Sequence, residues 1–201
     1  GFPRTFYGHF NPKFFREDEV YEKFDIVASI ILKSLGKVVA IDSKDCQVCI
    51  LKKKDGKQFI TANHIMGKGG GLYFGLKYNG ELVSAIVLKK KRVDGFENSY
   101  VVARFCDRVD FVVENSFSTL LDFAASQLKP QTVVCFADLR YSDTKFLEDN
   151  GFDLIDSKMS FRWTIANKTF HRTVFKDDKV GYEKGFYKLW DCGQAKFIKR
   201  Y

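Results

Sequence analysis

Between residues 17 and 35 the apolar positions Val20, Phe24, Val27, Ile31 and Leu35 return every three or four residues. That period marks one face of a helix. Acidic residues crowd its start, Lys33 lies near its end and Gly36 stops it, as the helix dipole and a glycine cap favour. Shorter apolar runs follow, and their length and β-branched content predict strands at 38–41, 47–51, 72–77, 82–88, 99–105, 109–113, 131–137, 152–165 and 169–175. Asn79-Gly80 predicts a tight turn between the third and fourth of these. Short helices are expected at 55–64, 116–128 and 141–150, with a helical turn in 178–185. A closing hairpin is expected about Gly193, from 186–192 and 195–201. Strands outnumber helices and alternate with them, which predicts an α+β fold around one mixed sheet.

Composition narrows the class. A chain of 201 residues with 45% hydrophobic and 29% charged positions can build one domain with a real core. Its formal charge is +8 and its pI about 9.1, a balance that favours polyanions such as nucleic acid. No apolar stretch approaches the length of a membrane span. The start, GFPRTFYGHFNPKFF, lacks the pattern of a signal peptide and lacks an initiator Met, so a fragment, a processed form or a tagged chain is expected. Five cysteines, an odd number, point to free thiols in a reducing compartment.

Several constellations could carry chemistry. Cys46 and Cys49 have half of a zinc-knuckle spacing, but a second pair is missing, and extended backbone would turn them to opposite faces. His64 stands at the end of a short helix, where it could carry a proton or meet a phosphate or simply cap a loop. Asp138 and Arg140 follow an apolar strand at its C-terminal end, a place where ligands bind in open sheets and where an ion pair can also orient the next helix. Basic residues cluster at Lys52-Lys53-Lys54, at Lys89-Lys90-Lys91-Arg92 and at Lys199-Arg200, with Lys68 in the glycine-rich 67–71 and Arg140 as further candidates for phosphate contacts. The turn Asn115-Ser116-Phe117-Ser118 joins a strand to a helix start, where backbone N–H groups are free to hold an anion, yet it contains no glycine.

The element order from residue 72 onward, together with Phe146-Leu-Glu-Asp-Asn-Gly-Phe152, resembles the GNAT family of N-acetyltransferases. The resemblance implies a GNAT-like core at about 45–175: a mixed, mostly antiparallel twisted sheet flanked by helices, with an N-terminal helix and a C-terminal β-hairpin. It implies acetyl-coenzyme A as cofactor, held at the turn Asn115–Ser118. In that family the turn is rich in glycine; here Val113, Asn115 and Phe117 stand in those places, and Leu147 stands where a proton-donating tyrosine is common.

A second resemblance covers about residues 26–198. Asn63-His64-Ile65-Met66-Gly67, Gly75-Leu76 through Leu82-Val83, Arg104-Phe105-Cys106, Val112 to Leu121, Asp138 to Ser142, His171-Arg172 with Phe175-Lys176, and Trp190-Asp191-Cys192-Gly193 are similar, in order, to the C-terminal accessory domain of phage homing endonucleases. Ile30 to Gly36 resembles the helix that joins such a domain to its nuclease. Asn115-Ser116 replaces that family's glycine pair, and Leu139 replaces an arginine. The resemblance implies an arm and connecting helix at 1–36, one GNAT-like domain at 37–201, and DNA binding through basic strand ends without catalysis, cofactor or metal. An upstream nuclease module would lie outside this chain. It also implies the cytoplasm of an infected bacterial cell. Two alternatives stand beside it: an N-acetyltransferase using an atypical turn, and a virion or host-inhibitory protein with a phage or host partner.

Overall fold

A computed structural model describes residues 12–142, 144–166 and 168–201. Most of the expected N-terminal arm, residues 1–11, lies outside the described residues. The helix expected over 17–35 is two helices, α1 (Glu17–Glu22) and α2 (Phe24–Ser34), broken at Lys23. At the start of α1 the Arg16 N–H and guanidinium both donate to the Glu19 carboxylate, and Lys23 leaves the helical path while its ammonium donates to the Ile65 carbonyl. The break shifts the phase of the buried face. Ile26, Val27 and Ser29 are buried, while Val20, Phe24, Ile31 and Leu35, which the period placed inward, are exposed. Residue 26 packs with Val27 and Ile65, and Ser29 Oγ donates to the Val109 carbonyl at 2.6 Å.

Strand β1 (Val39–Asp42) leads through a 3-10 turn to β2 (Gln47–Leu51) and α3 (Lys53–Asn63). Then come β3 (Leu72–Tyr78), β4 (Glu81–Lys90), β5 (Ser99–Asp107), β6 (Phe111–Glu114), α4 (Ser116–Leu128), β7 (Thr132–Asp138), α5 (Lys145–Asp149), β8 (Asp153–Ile165), β9 (Lys168–Phe170), α6 (Asp178–Glu183) and β10 (Tyr187–Arg200). Asn79 and Gly80 both have positive φ, 49° and 84°, as the tight turn before β4 demands.

The main sheet runs β2-β3-β4-β5-β7-β10-β8-β9, and only β5 and β7 pair in parallel. A small parallel pair, β1 with β6, stands beside it. Helix α4 covers one face: Leu120, Leu121 and Ala124 pack against Phe74, Ile86, Val133 and Phe197. On the other face, Phe59 and Ile60 of α3 pack against Tyr73, Ala85 and Val87.

Two expected elements differ. Residues 169–175 form the short β9 and then a 3-10 turn, Arg172–Val174, in which the His171 side chain accepts from Thr173 N. The hairpin expected about Gly193 is one strand, β10, lying between β7 and β8 with a bulge between Asp191 and Gln194. Gly193 has φ +84°, its N–H donates to Asp191 Oδ1 at 2.8 Å, and a Cβ there would fall 2.0 Å from the Lys158 carbonyl oxygen. The glycine that reads as a turn is the residue that lets a central strand bulge under close backbone contact.

Candidate functional site

Strands β5 and β7 run side by side only from Ser99↔Thr132 to Val102↔Cys135. Beyond that point they separate. The gap is a wedge of about 670 Å³. Ala103 and Phe105 form one wall, Cys135 and Ala137 the other, and Phe117, Phe146 and Leu147 close the side toward α4 and α5. His64, Arg104, Asp138 and Tyr141 give it one polar end. Along β5, the backbone edge facing the wedge has no β7 partner after Val102.

At the start of α4, Asn115 adopts φ 58°, ψ 12°. This left-handed conformation is the one glycine usually supplies and asparagine tolerates. The turn thus keeps the backbone shape of an anion cradle without its glycines. Asp107 enters it from β5: Oδ2 accepts from Val113 N and Oδ1 from Ser116 Oγ, each at 3.0 Å. Burial raises the Asp107 pKa, while those two donors and Lys33 partly oppose the shift. Phe117 turns inward and is buried, in edge contact with Phe105 and Phe146 at 5.0 and 5.1 Å. Ser118 Oγ donates to the Asn115 carbonyl.

The structure brings His64 and Asp138 to the same wedge and sets Arg140 behind Asp138. Arg140 is buried, and its guanidinium is clasped on two sides: Nη1 donates to Glu19 Oε2 and Nη2 to Asp138 Oδ2, both at 2.8 Å. Burial works against its charge, but the two carboxylates outweigh that and hold its pKa above the ordinary value. Arg140 therefore fastens α1 to the end of β7 and is not presented to a phosphate, contrary to its place among the basic candidates. The arm follows the same anchor, since Phe14 N donates to the Arg140 carbonyl at 2.8 Å.

His64 is half-buried, and its pKa is pushed down to about 3, first by burial and then by Arg104 and Lys23. Its Nδ1 accepts from Met66 N at 3.0 Å. The ring is thus neutral with its proton on Nε2, which makes it a hydrogen-bond donor. Burial also raises the Tyr141 pKa, and Asp138 adds to the shift. Arg104 reaches the glycine-rich loop, where Nε donates to the Gly67 carbonyl at 3.0 Å.

The other candidates lie apart. Lys52 precedes α3, and Lys53 and Lys54 form its first turn, so this cluster is at a helix start rather than a strand end. Lys68, Lys89, Lys90 and Arg92 are exposed, and Lys91 Nζ lies 5.1 Å from the Phe136 ring centroid. Cys46 faces the Asp42 carbonyl and Cys49 the Gly75 carbonyl, and burial raises both thiol pKa values. No group of three or more potential metal ligands occurs among the described residues. No described helix is long and apolar enough to cross a membrane. Motif reading gave no part to Glu19 and Asp107, which meet Arg140 and Ser116 only through tertiary packing, and it placed Tyr141 in the Asp138–Ser142 motif without a role.

No protein-family model matches the chain, and no curated protein matches it. Solved structures do. Arabidopsis thaliana Naa50 in complex with the bisubstrate analogue CoA-Ac-MVNAL is similar at TM-score 0.51 and 11% identity, over 78% of this chain and 99% of that one. The ribosomal-protein-S18-alanine N-acetyltransferase of Escherichia coli is similar at 0.50 and 13%, over 77% and 93%. A probable acetyltransferase of Staphylococcus epidermidis gives 0.50 and 13%, over 77% and 98%. The mixed sheet, the separated β5–β7 pair and the flanking helices therefore define the fold of the GNAT acetyltransferases.

Proposed function

We propose that the chain is an acyl-coenzyme A-dependent N-acyltransferase with an unusual phosphate turn. One observation carries this: the wedge between β5 and β7 opens beside the left-handed turn that starts α4. The unpartnered edge of β5 suits an extended chain bearing amides, which can pair with it as a further strand would. The apolar walls suit the rest of that chain. The N–H groups of the first turn of α4 suit a pyrophosphate. Asp107 engages the Val113 N–H and the hydroxyls of Ser116 and Ser84, so the backbone donors of Ser116, Phe117 and Ser118 are the ones assigned to the anion. Acetyl-coenzyme A would supply the activated acyl group. Tyr141, held protonated at the polar end of the wedge, is the candidate donor to a leaving thiolate, a role that Leu147 cannot fill. His64 offers its Nε2–H as a further donor nearby.

Calorimetric titration with acetyl-coenzyme A tests the reading. Stoichiometric binding that desulfo-coenzyme A displaces is expected, and no binding at millimolar cofactor defeats it.

The exposed Lys52, Lys53, Lys54, Lys89, Lys90 and Arg92 favour a second reading, an accessory domain of the phage-endonuclease type that binds DNA. Affinity for duplex would then fall steeply with salt, because each phosphate contact releases counterions. Salt-insensitive binding, or none at low salt, excludes it.

A further inference from the structure

A second cavity, of about 400 Å³, lies between the N-terminal arm and the outer strands. Its floor is Arg162 and Thr164 of β8 with Tyr187 and Leu189 of β10, and Phe14, Phe15 and Arg16 overhang it. Three guanidinium groups meet there. Arg16 is held by Asp18 and Glu19, and Arg140 by Glu19 and Asp138. Arg162 differs: among the described residues it makes no hydrogen bond or ion pair. It is half-buried, and burial together with Arg16 and Arg140 holds its pKa below the ordinary value, against the pull of Asp18 and Glu19.

A half-buried guanidinium with no acceptor bound is free to take up an incoming anion. Its planar fork matches a carboxylate in a bidentate pair. The surroundings select among anions. Glu17, Asp18 and Asp191 line the same cavity and oppose a dianion. The nearby threonine hydroxyls are already spent: Thr169 Oγ1 donates to Asp18 at 2.9 Å and Thr164 Oγ1 to the Lys168 carbonyl at 3.3 Å. A single negative charge with an apolar attachment is what Arg162, Leu189 and the arm's phenylalanines accommodate. A linking cavity of about 280 Å³ shares Arg162 with this site and Met66, Asp138 and Gln194 with the wedge. Lys23 and Arg172 line that link as well as carboxylates, and Glu22, in no ion pair among the described residues, is the carboxylate open to an ammonium.

We propose that Arg162 anchors the carboxylate of a small apolar amino acid, whose amine points through the linking cavity toward the wedge as the acyl acceptor. The word acceptor rests on the transferase reading; carboxylate recognition by Arg162 does not.

The test is calorimetry on the full chain with free leucine, methionine, phenylalanine and tyrosine, with their amides, and with inorganic phosphate. At least one free acid should bind about tenfold or more tightly than its amide, since a charge-assisted pair is worth about that factor. Arg162→Gln should weaken that acid by about tenfold or more, Arg162→Lys by less, and both should keep the wild-type acetyl-coenzyme A titration. Equal binding of acid and amide, undiminished binding to a folded Arg162→Gln, phosphate binding more tightly than every acid, or no binding by any acid each overturns the inference. The acid-against-amide comparison is made on the wild-type chain and holds even if the variant does not fold. Carboxylate binding without acetyl-coenzyme A binding sinks only the transferase reading; the reverse sinks only this one.

Discussion

Ser116 Oγ donates to Asp107 Oδ1 at 3.0 Å, so the first residue of α4 is tied to the last residue of β5. The same carboxylate accepts from Val113 N. A side chain of the protein thus holds one part of the turn that would otherwise face a ligand phosphate. It fixes the turn without glycine, and it places a negative charge beside the proposed anion site.

That charge should be visible in the pH dependence of stability. Burial raises the Asp107 pKa above the ordinary carboxylate value. The unfolded chain therefore releases this proton first. As pH climbs above about 4, the native state holds more protons than the unfolded one, and the Asp107 contribution is lost until the folded pKa is passed. Asp107→Asn should remove this fall. Urea melts between pH 4 and 8 check it; identical slopes for both proteins would count against the assignment.

His64 should act with the opposite sign. Its folded pKa of about 3 lies below the ordinary 6.5, so its contribution is present near pH 7 and is lost as pH falls from 6.5 toward 3. His64→Gln should weaken the acid sensitivity by something on the order of 2 kcal/mol between pH 7 and pH 4. A nuclear magnetic resonance titration showing a His64 pKa near 6.5 would refute the geometry around Met66 and Arg104.

Arg140→Ala leaves Glu19 and Asp138 buried or half-buried without their shared cation. Breaking such a cluster costs about 3–5 kcal/mol. The loss should concentrate on α1, which Glu19 fastens, so protease cleavage near residues 16–23 should accelerate before the sheet melts. Replacing Glu19 with Gln in the same variant should cost less than its effect in the wild type, because the two act on one network.

Phe117→Ala removes a buried ring held by Phe105, Phe146 and Phe152. The expected destabilisation is about 3–5 kcal/mol. On the transferase reading, acetyl-coenzyme A affinity, measured well below the melting temperature, should hold or rise, since the ring narrows the wedge. A large loss of affinity would make Phe117 a direct contact.

Much of this fold is legible from local pattern. The bounds of β2 and α4 follow from their apolar runs and flanking polar residues, and Asn79-Gly80 identifies its turn by backbone chemistry alone. Other features were hidden for physical reasons. The break at Lys23 depends on a distant carbonyl at Ile65, which no helical period reports. Gly193 reads as a turn because its strain is set by Lys158, on a strand many residues earlier. Asp138 and Arg140 could be paired from their spacing, whereas Glu19 joins them across 121 residues. Arg162 carries no motif, and its interest comes from the partner it lacks. The wedge itself is a divergence of two strands, and the alternation of side chains is the same whether strands stay together or part.

The position of β10 bears on how the chain folds. Its register ties β7 on one side to β8 on the other, so a strand that follows both in sequence lies between them in the sheet. During synthesis, the earlier strands emerge with two facing edges that have nothing to hold between them. Until β10 arrives, β7 and β8 are open templates for any other extended chain. Completion of the sheet is then a late, long-range event, and the same interval is when the chain is most exposed to mispairing with its own copies.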